Sequence, residues 1–309
     1  MNKQQITEWL LEGDPSIQYQ VWRDLLGSDK TKLQDRIAIE GWGLKFLSTR
    51  HSKGHWGDRF YQPKWISSHY TLLDLRNLNL SPENEVIKET IELVLRNDKA
   101  EDGGIRLGPG TTQHSDVCVN GMFLNYASYF KTSEMKLHSI IDSILAELMT
   151  DGGFNCRTTR SGAKHSSLHS TISVLEGFTE FQRAGYNYRK QEVSDAIKTG
   201  IEFILTHRLF LSDRTGQVID NNFLKLTYPC RWRYDILRAM DYFQYAGVEW
   251  DNRMTEAMTY LNKKQNKYGT WNMQAAHSGQ VHFIMEKAGK PSRWNTLRVL
   301  RIKKHFGIE

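Results

Sequence analysis

This 309-residue chain contains three side chains of the types that bind zinc, which follow two Gly-Gly pairs at similar distances in the sequence. Asp116 and Cys118 lie 11 and 13 residues after Ile105, and His165 lies 11 residues after Phe154. Three protein ligands leave the fourth zinc position open for a reacting group, so the spacing predicts a catalytic and metal-binding triad. The same residues also fit a metal-free polar site, or structural roles as a helix cap, a small core residue and a capping histidine.

A wider set of candidates for ligand binding lies at this level of the other repeats or in the loops beside it. Its members are aromatic, basic, or carriers of sulfur or imidazole: Trp65, His69, Tyr70, Arg157, Arg160, Lys164, Cys230, Trp232, Tyr234 and His282. Arginine matches phosphate oxygens, and aromatic faces suit an isoprenoid chain or a carbocation. The alternatives are solvated loop charges and rings that lock neighbouring helices together; Tyr126 belongs to the same aromatic group.

Two carboxylates form a separate hypothesis. Asp74 lies 18 residues after Trp56, and Asp235 lies 17 residues after Val218. These distances predict that both lie one level deeper in the cavity than the first set. Facing one cavity, they would act as a catalytic acid and base, as in an α/α-barrel glycosidase or lyase. Ion pairs with Arg76, Arg233 and Arg238 are the simpler alternative.

The elements that must position these residues repeat along the chain. A glycine followed two residues later by an apolar residue recurs five times, at Gly54, Gly103, Gly152, Gly216 and Gly269. After each glycine come a polar loop, a helix apolar on more than one face, a turn and an amphipathic helix. The apolar helices are predicted over 65–78, 116–130, 165–181 and 232–245, and the amphipathic ones over 83–96, 134–148, 191–205 and 254–261.

Because the first helix of each repeat is apolar on more than one face, we expect these helices to form an inner ring that the amphipathic helices surround. An open superhelix is the alternative. We therefore predict an all-α fold, an α/α toroid of about five to six helical hairpins. Residues 1–309 are expected to form one domain, with N-terminal helices in 1–50, the glycine-anchored repeats in 51–290 and a closing helix in 291–309.

The repeats resemble those of a known superfamily. The segments Asp102-Gly103-Gly104-Ile105 and Asp151-Gly152-Gly153-Phe154 are similar to the repeats of squalene-type terpenoid cyclases and protein prenyltransferase β subunits. The resemblance implies a toroid with a central cavity for a hydrophobic ligand, isoprenoid or diphosphate-bearing, and transferase-like activity. The Asp-x-Asp-Asp cluster with which such cyclases protonate an alkene does not occur in the sequence, which argues against that route. Asp116-Val117-Cys118 resembles the Asp-x-Cys zinc arrangement of the prenyltransferases, with His165 as the ligand from another repeat.

The charge and composition of the chain limit the classes of partner that we expect. The formal charge is +6, but the basic residues are scattered and no nucleic-acid motif accompanies them, so a nucleic-acid partner is not expected. An anionic ligand, a membrane surface or a protein partner stays open. No run is long and apolar enough to span a bilayer and the N-terminus is unlike a signal peptide, so we expect a cytoplasmic protein. A carbohydrate-active enzyme and a non-catalytic binding scaffold remain as alternative functions.

Overall fold

The computed structural model describes residues 1–108 and 114–308, and its regular structure is almost wholly helical. Two compact units divide the chain. The first unit holds Met1–Ser48, Leu78–Ser81 and Leu205–Glu309, and the second holds Thr49–Asn77 and Pro82–Ile204. The expectation of one domain over 1–309 stays a prediction.

The helices predicted in the repeats occur in the predicted order, with further short elements between them. The helices are α1 (Lys3–Leu11), α2 (Pro15–Gln20), α3 (Thr31–Arg36), α4 (Gly41–Ser48), α5 (Ser68–Asn77), α6 (Glu85–Asn97), α7 (Val117–Tyr129), α8 (Glu134–Ala146), α9 (Thr158–Ser161), α10 (Leu168–Arg183), α11 (Lys190–Thr206), α12 (Ile236–Ala246), α13 (Thr255–Lys263) and α14 (Arg293–His305). A π-helical turn continues α2 over Val21–Leu25, and 3₁₀ turns cover Asn221–Leu224 and Asn252–Met254. Two short antiparallel strands, β1 (Trp271–Asn272) and β2 (Pro291–Ser292), precede α14. The predicted inner and outer helices lie within four residues of these bounds.

In the second unit, α5, α7 and α10 are buried on nearly all sides, whereas α6 and α8 bury one stripe each. The helices α7 and α10 approach each other through two glycines, Gly121 and Gly177. A Cβ atom on Gly121 would stand 2.6 Å from the carbonyl oxygen of Ser173, and one on Gly177 would meet the backbone of Gly121. Only glycine permits so close a contact between two helix backbones.

The glycine anchors share one turn. Gly54, Gly103, Gly152 and Gly269 have φ between 84° and 89°, the left-handed region that favours glycine, and each donates its N–H to the carbonyl three residues earlier. The fifth copy is different: Gly216 donates to the carbonyl four residues earlier, and Val218 behind it is 39% exposed. Gly216 is therefore a wrong assignment as a repeat anchor, which agrees with its irregular distance of 64 residues from Gly152.

A second hydrogen bond ties each of the four true anchors to a buried helix. The N–H of the residue two positions after the anchor glycine donates to a side-chain oxygen on the helix, in the pairs Trp56–Ser68 (2.9 Å), Ile105–Asn120 (2.8 Å), Phe154–Thr171 (3.0 Å) and Trp271–Thr296 (3.1 Å). These tie residues lie 12, 15, 17 and 25 positions after the residues whose N–H groups they accept. The loops between anchor and helix thus differ in length, and equal distances from the glycines do not identify equivalent residues.

In the first unit, a buried charge network joins α12 to α14. Asp241 accepts hydrogen bonds from Arg298 (2.9 Å) and Arg301 (2.5 Å), and Arg301 also pairs with Asp24 at 3.0 Å. These arginines hold the pKa of Asp241 below its usual value in spite of its burial.

Candidate functional site

One buried polar constellation of the second unit is built around His69, in the first turn of α5. The loop before the helix fixes this turn: the N–H of Ser68 donates to Trp56 (3.1 Å) and that of His69 donates to Phe60 (3.0 Å). These bonds satisfy backbone donors that a helix start leaves without partners. The His69 side chain is fully buried, 0% exposed, and so points into the interior of the unit.

His69 pairs with a tyrosine of the neighbouring buried helix. Its Nδ1 lies 3.3 Å from the hydroxyl of Tyr126 on α7, and the two rings meet edge to face with centroids 5.8 Å apart. Among the described residues, nothing hydrogen-bonds the other imidazole nitrogen, Nε2, although it is buried. A buried polar nitrogen without a partner costs about 1–3 kcal/mol.

Burial sets the protonation of the pair. It lowers the pKa of His69 from 6.5 to about 3, with a smaller contribution from the charge of Lys64. Burial also raises the pKa of Tyr126 well above 10, and the Asp98 carboxylate adds to this effect. At neutral pH the site therefore holds a neutral imidazole next to a protonated phenol.

Aromatic rings surround the pair. Phe60, Tyr61 and Tyr70 place their ring centroids 5.2, 5.4 and 4.8 Å from that of His69. The Tyr70 hydroxyl donates to the Tyr61 hydroxyl at 2.7 Å, and Trp65 meets Tyr70 edge to face at 4.7 Å.

The outermost member of this cluster is a cation. Lys64 is partly exposed and holds its Nζ 4.9 Å from the ring centroid of Tyr61 and 5.8 Å from that of Trp65. An ammonium over ring faces is attracted to them by the ring quadrupole. The site can therefore supply a base, a proton donor and a positive charge within one layer of side chains.

The predicted zinc triad does not occupy equivalent positions. Asp102 and Asp151 accept the N–H groups of Ser115 (2.6 Å) and Ser166 (2.8 Å), which makes these two serines equivalent. They are 51 residues apart, whereas the glycines Gly103 and Gly152 are 49 apart, so counting from the glycines shifts the register by two.

In the corrected register, Asp116 corresponds to Ser167, the position before α10, and not to His165. Asp116 and Cys118 are 7% and 9% exposed, whereas His165 is an exposed loop residue. Within 1–108 and 114–308, no three His, Cys, Asp or Glu side chains cluster as a metal site would require. Zinc thus stays a prediction that the described residues do not support.

The two predicted carboxylates fall in different units. Asp74, on α5, is 2% exposed. Asp235, in the first unit, is 4% exposed and accepts the N–H of Arg238 at 2.8 Å, so it caps the start of α12. Burial raises the pKa of Asp235. Its observed contact is that of a helix cap, and its role as half of a catalytic pair stays a prediction.

The remaining candidates of the first unit lie close together along the chain. Tyr234 is buried and donates its hydroxyl to the carbonyl of Leu209 at 2.6 Å, and Cys230 donates its thiol to Thr227 at 3.4 Å. Burial raises the pKa of Cys230 to about 12, which keeps the thiol protonated. Trp232 is partly exposed beneath the guanidinium of Arg233, 4.8 Å from the ring centroid.

His282 is partly buried in the same unit. It meets the ring of Phe46 edge to face at 5.5 Å. Burial, and then the charge of Arg231, lowers its pKa to about 4. The histidine is thus neutral at physiological pH and packs as an aromatic ring.

The predicted basic loop lies on the surface of the second unit. Arg157 and Lys164 are exposed on either side of α9. The side chain of Arg160 lies outside the described part of the structure. The two described residues fit solvated loop charges as well as a binding role.

Sequence reasoning named His69 and Tyr70 and placed Tyr126 among the aromatic candidates, but it did not predict the contact between His69 and Tyr126 and it missed the cation Lys64. The contact depends on how α5 packs against α7, and no pattern within either segment of the sequence marks it.

Comparisons with known proteins bear on the fold. No protein family matches the chain, and no curated protein sequence matches it. Among solved structures, polysaccharide lyase BACCELL_00875 is similar with a TM-score of 0.53 and 12% identity, over 94% of this chain and 87% of that chain. The type II terpene cyclase MstE from Scytonema is similar with a TM-score of 0.38 and 12% identity, over 88% and 96%. A variant of that cyclase in complex with merosterolic acid A gives a TM-score of 0.37.

The likeness to the lyase extends over most of both chains and confirms the predicted fold class, an all-α fold of the α/α-toroid type. At 12% identity it speaks for the fold alone. In the described ranges, no helix is long and apolar enough to cross a membrane.

Proposed function

We propose that the chain is a carbohydrate-active enzyme that cleaves an acidic polysaccharide by β-elimination, with His69 as the base and Tyr126 as the proton donor. The observation that carries the proposal is the buried pair itself. A neutral imidazole bonds through Nδ1 to a protonated phenol, and no described residue bonds its Nε2. General acid–base catalysis needs a proton acceptor and a proton donor that can both come within hydrogen-bond reach of the reacting atoms.

The proposed reaction assigns one tautomer to His69. Nδ1 carries the hydrogen and donates it to the Tyr126 oxygen, which leaves the lone pair of Nε2 for the substrate. Nε2 takes the proton from the sugar carbon that bears the carboxylate. The electron pair of that C–H bond forms a double bond to the next ring carbon, whose bond to the glycosidic oxygen breaks. The leaving oxygen takes the Tyr126 proton.

The pair then regains neutrality without an outside reagent. The Tyr126 phenolate recovers a proton from Nδ1, while Nε2 keeps the proton taken from the sugar. His69 thus ends as the other neutral tautomer, and exchange with water restores the first. No metal takes part in these steps.

Charge and fold support an acidic polysaccharide as the substrate class. The formal charge of +6 favours an anionic polymer, and the ammonium of Lys64 stands over the rings beside His69. The neighbour of like fold is a polysaccharide lyase by its own name. The paired-carboxylate hypothesis leads to the same broad class of enzyme, but the described contacts of Asp235 favour a cap.

The pair is covered in the structure, since His69 and Tyr126 are both 0% exposed. Phe60 and Tyr61 cover it with exposures of 6% and 8%. The proposal therefore requires the segment 58–64 to move aside as the sugar enters. Closure of such a segment over a substrate also excludes water from the reaction.

A hydrophobic ligand, isoprenoid or diphosphate-bearing, is the second candidate, and the rings around His69 favour it. Aromatic faces without an adjacent carboxylate would suit an apolar chain. These rings pack against one another, however, and Lys64 lies at their outer edge. The alternatives separate by experiment, because only the first forms an unsaturated sugar.

The test follows the new double bond. Purified protein is incubated with polygalacturonate, alginate, hyaluronan and heparan sulfate, and the ultraviolet absorbance of the conjugated product is recorded. We expect a product with at least one polymer, and a loss of about 10²- to 10⁴-fold in His69→Gln and Tyr126→Phe. The matched control is Tyr234→Phe, which also removes one buried tyrosine hydroxyl, but in the first unit.

Two results would contradict the proposal. One is that no polymer gives an unsaturated product, while a prenyl diphosphate binds. The other is that Tyr126→Phe and Tyr234→Phe lose activity to the same extent, since the hydroxyl of Tyr126 would then matter only for folding.

A further inference from the structure

We infer that α7 and α10 hold a buried water molecule between them, bound by the side chains of Asn125 and Ser128. The inference does not depend on the proposed reaction, because it concerns only the packing of two buried helices of the second unit. It assigns to the interior of this unit a binding site for a small neutral molecule.

Asn125 and Ser128 lie on the face of α7 that meets α10. Gly121 marks this face, because a Cβ atom on it would stand 2.6 Å from the carbonyl oxygen of Ser173 on α10. Positions 121, 125 and 128 follow one another at intervals of four and three residues, which places their side chains on one side of a helix. Both polar side chains therefore continue the interface that begins at the glycine.

The interface is closed at both ends around these two residues. At one end, Gly121 and Gly177 bring the two helix backbones together. At the other end, the hydroxyl of Tyr186, just after α10, donates to the carbonyl of Thr132, just after α7, at 2.5 Å. The two helices thus run in the same direction, and both polar residues lie between two fixed contacts.

Each of the two residues carries a buried polar atom that needs a hydrogen bond. Asn125 is 3% exposed and Ser128 is 1% exposed. In the part of the chain that the structure describes, no residue hydrogen-bonds the side-chain oxygen of Asn125 or the hydroxyl of Ser128. Buried polar atoms are nearly always hydrogen-bonded, either to protein or to ordered water. A buried water takes two to four polar partners, and these two atoms supply the first two.

A neighbouring ion pair indicates the charge that the site can accept. Arg76 of α5 donates to the carboxylate of Glu180 on α10, and its guanidinium lies 5.6 Å from the ring centroid of Tyr129 on α7. Tyr129 lies one helical turn after Asn125, so the ion pair is at this level of the second unit. The carboxylate is already balanced by the guanidinium, and an amide and a hydroxyl carry no charge. The site therefore suits a neutral molecule better than a metal ion, which prefers charged oxygen ligands.

A high-resolution crystal structure of the full chain tests the site directly. We expect ordered density for a water about 2.7–3.2 Å from both the side-chain oxygen of Asn125 and the hydroxyl of Ser128. Direct protein partners for both atoms, or no density between them, would overturn the inference.

Thermal unfolding gives a second test, because bound water changes the sign of the effect. Ser128→Ala and Asn125→Leu each remove one partner of the water and should lower the melting temperature by about 1–4 °C. The double variant should lose less than the sum of the two, since residues that share a partner are not additive. A rise in melting temperature in both single variants would contradict the inference, because removing a polar atom that has no water relieves an unmet hydrogen bond.

The matched control is Ser68→Ala, which removes another buried serine hydroxyl from an inner helix of the same unit. The Ser68 hydroxyl has protein partners, since it accepts the N–H of Trp56 at 2.9 Å and donates to the carbonyl of the same residue at 3.1 Å. Its effect on the melting temperature should add to that of Asn125→Leu within about 1 °C. If Ser68→Ala departed from additivity as much as Ser128→Ala does, a water shared by Asn125 and Ser128 would be refuted.

Discussion

Replacing His69 by glutamine should remove the share of the acid sensitivity of the fold that this buried imidazole contributes. The imidazole is buried and neutral, with a folded pKa of about 3 against 6.5 in the unfolded chain. Because the folded pKa is the lower one, the unfolded state takes up the proton first as the pH falls. The stabilisation from His69 is therefore complete above about pH 6.5 and is lost as the pH falls from there towards about 3.

The size of the effect follows from this difference in pKa. Between the two pKa values, each pH unit below 6.5 lowers the contribution of His69 to the free energy of unfolding by about 1.4 kcal/mol. At about pH 5 the unfolded histidine is protonated and the folded one is not, so His69 alone lowers the free energy of unfolding by about 2 kcal/mol relative to about pH 7.5. Glutamine does not titrate and lacks this loss.

The assay is urea unfolding of wild type and His69→Gln at both pH values, followed by circular dichroism. The gap in unfolding free energy between wild type and variant should shrink by about 2 kcal/mol at the lower pH. His165→Gln, which replaces an exposed histidine, is the control and should keep the acid response of wild type. An equal acid response of wild type and His69→Gln would refute a neutral, buried His69, as would an imidazole that titrates near pH 6.5 by NMR.

Further predictions follow from other parts of the structure. Asp241→Ala should cost about 3–5 kcal/mol of unfolding free energy, because it leaves two buried arginines without their shared carboxylate. Gly121→Ala should lower the unfolding free energy by about 1–3 kcal/mol, since its Cβ would strike the backbone of α10. Cys230 should react with thiol reagents far more slowly than Cys156, because Cys230 is buried and has a raised pKa whereas Cys156 is partly exposed. Mass spectrometry of labelled peptides measures the two rates. Chelator should leave the proposed cleavage activity unchanged. If chelator removed the activity and added zinc restored it, the result would support the predicted zinc triad of Asp116, Cys118 and His165.

The helices were predictable because their signals are local. The stripe of 83–96 and the doubly apolar run of 116–130 predicted an outer and an inner helix, and α6 and α7 have that character. The glycine spacing likewise predicted a repeated unit, and four of the five anchors share one turn geometry. Gly216 was misassigned because its local sequence imitates an anchor, whereas the hydrogen bonds that define one depend on the residues around it.

The site was less predictable because it depends on register between helices. The loops between anchor and helix differ in length, so residues at equal distances from the glycines are not equivalent. Counting from the glycines therefore treated Asp116 and His165 as equivalent and did not predict the contact between His69 and Tyr126. That contact joins residues 57 positions apart, and no local pattern encodes it.

The most direct test of the account is a crystal structure of Tyr126→Phe with an acidic oligosaccharide bound. We predict that the sugar carbon bearing the carboxylate lies about 3–3.5 Å from Nε2 of His69. An oligosaccharide that binds well away from His69, with the aromatic cluster unchanged, would contradict the claim that this pair carries the chemistry.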